Sequence, residues 1–157
     1  MTKAKILTKA AVVLMATVSL TIMLTGCSLN GAGGGEAEET ARLWADAYFK
    51  CDFHEAERYS TAESGRWLRF AASNTTEKAL QLLQEKTTEV SIDGFAAAND
   101  TAGTATVRVS NYLKPVAIGE EPQTAEDGEF LLIMVKRDGR WKVKMEGLPR
   151  SGRQSRD

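Results

Sequence analysis

The feature that most constrains the fold is a change in the spacing of apolar residues near Glu89. Before it they recur every three or four positions. Ala37, Ala41, Trp44, Tyr48 and Cys51, widened by Leu43 and Ala47, make the stripe of one amphipathic helix over 36–51. Beyond it they alternate. Val90 and Ile92 open the pattern; Ala105, Val107, Val109 and Leu113 then oppose Thr104, Thr106, Arg108, Ser110 and Tyr112, and Trp141, Val143 and Met145 oppose Lys142 and Lys144. A chain that is helical first and stranded second predicts an α+β fold, with N-terminal helices packed on a curved antiparallel sheet of about four strands.

Local signals divide the two halves further. Glu36, Glu38 and Glu39 suit the positive end of the first helix. In Asp52-Phe53-His54-Glu55 the aspartate can cap a second helix over 53–59, and Glu55 sits where a capping box would let it reach back. Helix is expected again over 65–86, interrupted at Ser73-Asn74-Thr75-Thr76. Strands are expected over 89–95, 104–113 and 130–137, the last joined by the tight turn Asp138-Gly139 to a strand carrying Trp141. Ala98–Gly103 has turn chemistry, and 114–128, with Pro115, Gly119 and Pro122, reads as a long loop.

The first 26 residues stand apart. Lys3, Lys5 and Lys9 precede a mostly apolar run from Ala10 to Leu24, too short for a comfortable membrane span, and Leu24-Thr25-Gly26-Cys27 follows at once. The ending resembles the lipobox of bacterial lipoproteins. That resemblance implies recognition through Leu24, Thr25 and Gly26, cleavage before Cys27 and acylation of Cys27, so that membrane lipid is the first partner. Several acyl chains on one cysteine hold a protein far better than one. The expected address is the cell envelope: the outer membrane in a host with two membranes, since Ser28 rather than Asp follows the cysteine, and otherwise the outer face of the cytoplasmic membrane. Residues 27–35, with Gly31, Gly33, Gly34 and Gly35, read as the lipidated cysteine and a flexible tether. They lack the strand and the Lys-Ser/Thr pair of a phosphate-binding loop.

Loss of residues 1–26 removes three of the 20 basic residues and no acidic one, leaving 17 against 21, a net charge of −4. Such a balance gives no electrostatic reason to expect nucleic acid as a partner. Residues 148–157, with Arg150, Arg153 and Arg156, read as a disordered basic tail. With Cys27 lipidated, Cys51 has no partner for an intramolecular disulfide, and its place in the apolar stripe predicts a buried thiol.

The helix Ala41–Lys50, the turn Cys51-Asp52-Phe53-His54-Glu55-Ala56 and the closing Lys136-Arg137-Asp138-Gly139-Arg140-Trp141-Lys142-Val143 together resemble the NTF2-like (cystatin-like cone) superfamily, in particular its small exported lipoproteins of the DUF4878 type. The resemblance spans 36–147. It implies a curved sheet wrapped around a long helix, with a conical cavity put to different uses in different members. Some members resemble ketosteroid isomerases and polyketide cyclases, in which an acidic base and a hydrogen-bond donor act on one substrate.

For such chemistry the candidate bases are Asp46, Asp52 and His54, and the candidate donors Tyr48, Tyr59 and Tyr112. Asp52 is accounted for as a cap, His54 falls in an exposed first turn, and Asp46 lies off the apolar stripe. Trp44, Tyr48, Tyr59 and Tyr112 are the candidate cavity-lining residues. A single histidine without clustered cysteines makes no recognisable zinc site, no Gly-x-Ser-x-Gly elbow is present, and no cofactor is expected. The sequons Asn74-Thr75-Thr76 and Asn99-Asp100-Thr101 are short enough to arise by chance. The residues favour a non-catalytic domain that takes a small apolar ligand or an envelope protein, over a cavity enzyme and over a homodimeric module pairing through the sheet face.

Overall fold

The computed structural model describes residues 34–117 and 119–152, so Leu24, Thr25, Gly26, Cys27 and the tether up to Gly33, like Arg153 and Arg156, lie outside the described residues. Helix α1 (Gly34–Phe49) is followed by α2 (Phe53–Arg58), a single 3₁₀ turn at Ala62–Ser64, α3 (Gly65–Asn74) and α4 (Glu77–Gln84). Strands β1 (Glu89–Asn99), β2 (Ala102–Leu113), β3 (Thr124–Arg137) and β4 (Arg140–Lys144) form one antiparallel sheet in the order β1-β2-β3-β4. The α+β architecture expected from the change of period is the architecture observed. Among the described residues no helix is long and apolar enough to cross a membrane.

Helix α1 lies against the sheet and buries Ala37, Ala41, Trp44, Ala45, Ala47 and Phe49. It starts two residues before the expected boundary, inside the stretch read as tether, at two glycines where an added Cβ would meet nothing within 4 Å. It also stops early. Cys51 takes the left-handed φ of 64°, its N–H bonds Tyr48 O at 3.0 Å, and Asp52 N–H bonds Ala47 O at 2.9 Å. That is a Schellman ending with a cysteine where glycine is usual.

Asp52 then caps α2, its Oδ1 accepting from Glu55 N–H at 3.0 Å. The reciprocal half of the expected capping box does not form. Glu55 instead accepts from Arg58 at 3.0 Å and from the Tyr59 hydroxyl at 2.9 Å, because a guanidinium and a phenol one turn along are better donors than the Asp52 N–H, which already closes α1. The break at Ser73–Thr76 is as expected: Thr76 accepts from Ala79 N–H at 3.2 Å and starts α4.

In the sheet, Asp138 (φ 51°) and Gly139 (φ 77°) make the anticipated tight turn between β3 and β4. The loop read as 114–128 ends sooner, at Gln123, because Lys114 N–H bonds Gln123 O at 2.8 Å and zips the neck of the hairpin. Tyr112 is corrected more sharply. Strict alternation places it with Thr104 and Thr106 on the outer face, but Asn111 has φ 54°, which flips the pleat and turns Tyr112 into the core at 2% exposure. Asn111 is held there by its Nδ2, which donates to Thr87 O at 2.9 Å, and by its carbonyl, which accepts from Thr88 Oγ1 at 2.8 Å.

The edge at β4 is covered. Thr61 N–H bonds Val143 O and Val143 N–H bonds Tyr59 O, so the link after α2 adds a short parallel rung. Where β4 has ended, the C-terminal segment takes its place. Ser151 is buried and bridges to Phe130, and Gly152 N–H bonds Glu129 O at 3.0 Å. The tail expected from 148 onward is thus packed as far as Gly152, the unsatisfied backbone of β3 providing its partners.

Candidate functional site

Aromatic side chains fill the interior between α1 and the sheet. Trp44 is fully buried, stacks on Tyr48 with ring centroids 4.7 Å apart, and donates from Nε1 to Ser60 Oγ at 2.8 Å. Phe49 packs on Phe130 at 4.5 Å, and Tyr112 sets its edge against both rings. Tyr112 approaches the backbone so closely that a Cβ on Gly128 would stand 2.5 Å from its hydroxyl.

The open space lies at the mouth of this interior. A cavity of about 410 Å³ is bounded by the end of α1 (Tyr48, Phe49, Cys51), by Phe53, by the α3–α4 junction, by the loop after β2 and by Leu148. Its floor is the aromatic plug. Phe70 reaches it from α3 and is still 46% exposed. Polar side chains of the junction are turned away to their own helices: Ser73, Asn74 and Thr75 donate to the carbonyls of Arg69, Phe70 and Ala71, and Thr76 caps α4. The wall they leave is apolar.

Of the candidate lining residues, Tyr48 lines this cavity, whereas Trp44 and Tyr112 are core and Tyr59 stands outside it. Burial raises the Tyr48 phenol well above its ordinary range, so it remains a protonated donor. Burial likewise pushes the Cys51 thiol up to about 11, offset in part by a hydrogen bond with Thr75. Cys51 is half-buried and lines the cavity as a neutral thiol.

The candidate bases are not brought to Tyr48. Asp46 pairs with Lys50 at 2.6 Å, Asp52 caps α2, and His54 is exposed. Glu120 is the carboxylate that lines the cavity, and its Oε2 accepts from Ala117 N–H at 3.0 Å. One tyrosine does meet a carboxylate, Tyr59 with Glu55, and that hydrogen bond raises the Tyr59 phenol; the pair sits one turn apart on α2, away from the cavity. Asn74 and Asn99 of the two sequons serve local turns, Asn99 Oδ1 accepting from both the N–H and the hydroxyl of Thr101. Among the described residues no three His, Cys, Asp or Glu side chains gather to hold a metal.

Phe70, Lys114 and Leu148 have no place in the sequence reading of the site, and Leu113 enters it only as an apolar strand position. The one available signal was the apolar run Pro115-Val116-Ala117 inside an otherwise polar loop.

Helices on one face of a four-stranded meander, closing a cone around α1, match solved structures. A ketosteroid isomerase-like protein from Erwinia carotovora atroseptica SCRI1043 superposes with a TM-score of 0.50 at 12% identity, over 73% of this chain and 94% of that one. The fold is NTF2-like. An NTF2-like protein of unknown function from Shewanella oneidensis MR-1 aligns at 14% identity over 67% of this chain and 88% of that one, TM-score 0.45. An NTF2-like protein involved in plasmid conjugation aligns at 17% identity over 74% and 48%, TM-score 0.39. No family model matches the chain, and neither does any curated protein. Within this NTF2-like cone, the cavity described lies at the rim, beside the aromatic core.

Proposed function

We propose that this chain is an envelope lipoprotein, anchored through acylated Cys27, whose NTF2-like domain binds a small apolar or amphipathic ligand at the mouth of the cone without transforming it. The observation that carries this reading is the cavity of about 410 Å³, large enough for a small ligand. Its aromatic floor supplies apolar contact, and the polar side chains of the α3–α4 junction are engaged by their own helix ends. An isomerase or cyclase would need a carboxylate facing Tyr48 across the cavity, and Glu120 faces Ala117 N–H instead.

Native mass spectrometry of the full chain purified from its own host tests the ligand: a retained small molecule, displaced when Tyr48 and Phe70 are both replaced by serine, is the expected result, and a consistently empty protein that turns over an enolisable ketone would reverse it. The anchor is tested separately. Cys27→Ala should leave the chain unprocessed and unlabelled by radioactive palmitate, and normal labelling of that variant would refute acylation at Cys27.

A second reading is favoured by one feature. On the outer sheet face Leu131 is 66% exposed and Ile133 37% exposed, opposite Thr106 and Thr104 on β2. Apolar side chains in the centre of an open sheet suit a homodimer joined face to face. Sedimentation velocity decides it: a mass that doubles with concentration and returns to the monomer in Leu131→Lys supports the dimer.

A further inference from the structure

The cavity holds one charge that the ligand reading leaves unused. Lys114 is the first residue after β2, and its backbone N–H is pinned to Gln123 O, which fixes the root of its side chain at the cavity wall. It is half-buried and joins none of the ion pairs formed among the described residues. The neighbouring cations are satisfied, Lys78 by Glu121 and Lys50 by Asp46. Glu120 shares the cavity and accepts from Ala117 N–H, and it makes no ion pair with Lys114. A lysine at the wall of a largely apolar cavity that joins no ion pair among the described residues leaves its ammonium free to donate to an anion from outside.

We propose that the cavity takes a single-chain amphiphile ending in a carboxylate, its alkyl chain on Tyr48, Phe49, Phe53 and Phe70 and its head at Lys114. The inference rests on the ligand-binding reading above and adds the chemistry of the ligand. Three properties select this class. The aromatic floor accepts methylene groups and offers them no competing polar contact. The volume of about 410 Å³ stands near the lower end of ligand pockets, which run from roughly 300 to 1,000 Å³, so it suits one chain rather than the two of a membrane phospholipid. The Tyr48 hydroxyl, kept protonated by burial, is a second donor on the same wall and has no use for a cationic head.

The test uses the full chain in phosphatidylcholine nanodiscs and two photoactivatable probes, dodecanoic acid and dodecanol, each carrying a diazirine at the chain end. Labelled peptides are identified by mass spectrometry. The acid is expected to label the peptides carrying Phe70 and Leu113 at about tenfold lower concentration than the alcohol, the gain of a charge-assisted hydrogen bond. Unlabelled decanoate, undecanoate and dodecanoate should compete with half-maximal concentrations that fall about fourfold per added methylene. Lys114→Gln should erase the difference between acid and alcohol, and Lys114→Arg should keep it. Equal labelling by the two probes in the unmodified chain overturns the carboxylate while leaving the cavity as an apolar site. Labelling of neither Phe70 nor Leu113 by either probe overturns the ligand reading itself.

Discussion

The inside of the cone and its mouth are built from the same residue types and end in opposite states. Inside, Trp44, Tyr112 and Phe130 are buried, and the Trp44 indole donates to Ser60, whereas the buried Trp141 Nε1 has no partner. At the mouth, Tyr48 and Phe70 have one covered side and one that faces open space. Four residues separate Trp44 from Tyr48 on the same stripe of α1, and one turn of helix is the whole difference between a core residue and a site residue. A close-packed aromatic interior gives the cone stability, and the cavity described lies at its rim.

Substitutions that act on one region and spare the other test this division. The largest effect is expected for Trp44→Ala, which removes a fully buried indole and its hydrogen bond to Ser60; unfolding by urea should show a loss of about 3–5 kcal/mol. Gly128→Ala comes next. Its new Cβ would lie 2.5 Å from the Tyr112 hydroxyl, in a ring cluster with no room to shift, and overpacking of this kind costs about 1–3 kcal/mol. If Gly128→Ala melts at the temperature of the unmodified chain, the interior is looser than described.

Cys51 lies on the boundary and gives a smaller, pH-dependent effect. Its folded pKa is raised from 9.0 to about 11, so the folded state holds the proton more tightly than the unfolded one. The stability this contributes is fully present below pH 9.0 and is lost as the pH rises through about 11. Urea midpoints measured at mildly and strongly alkaline pH should therefore fall further for the unmodified chain than for Cys51→Ala. The smallest stability change is expected at the mouth. Phe70→Ser should stay within about 0.5 kcal/mol of the unmodified chain in the same urea experiment, yet weaken dodecanoate binding. Strong destabilisation by Phe70→Ser would mean that the mouth is core after all.

Much of the architecture was legible because it depends on periodicity. The α1 stripe, the caps at Asp52 and Thr76 and the Asp138-Gly139 turn all follow from local rules that act within a few residues. What was hidden depends on single backbone angles and on long-range partners. A left-handed Asn111 shifts the pleat by one and sends Tyr112 to the other face, and nothing in alternation announces it. The C-terminal segment looked like a polar tail because its partner, the bare edge of β3 beyond β4, exists only once the sheet has formed. Of the four aromatic residues expected at a cavity, Tyr48 alone lines it, since sequence gives the side of a helix that faces inward but not the depth at which packing stops. Lys114 was invisible for a related reason: at the end of a strand, before a proline, a lysine is ordinary until the loop behind it folds over.

The direction of α1 has a consequence for how such a domain meets its surroundings. The helix begins at Gly34 and runs for 16 residues to Phe49 at the cavity floor. At a rise of about 1.5 Å per residue, about 24 Å separates the start of α1 from the cavity. If Cys27 is acylated as proposed, a domain held by its N-terminus with the cavity at the far end of α1 turns its opening away from the anchoring lipid, toward the surrounding fluid or a facing surface.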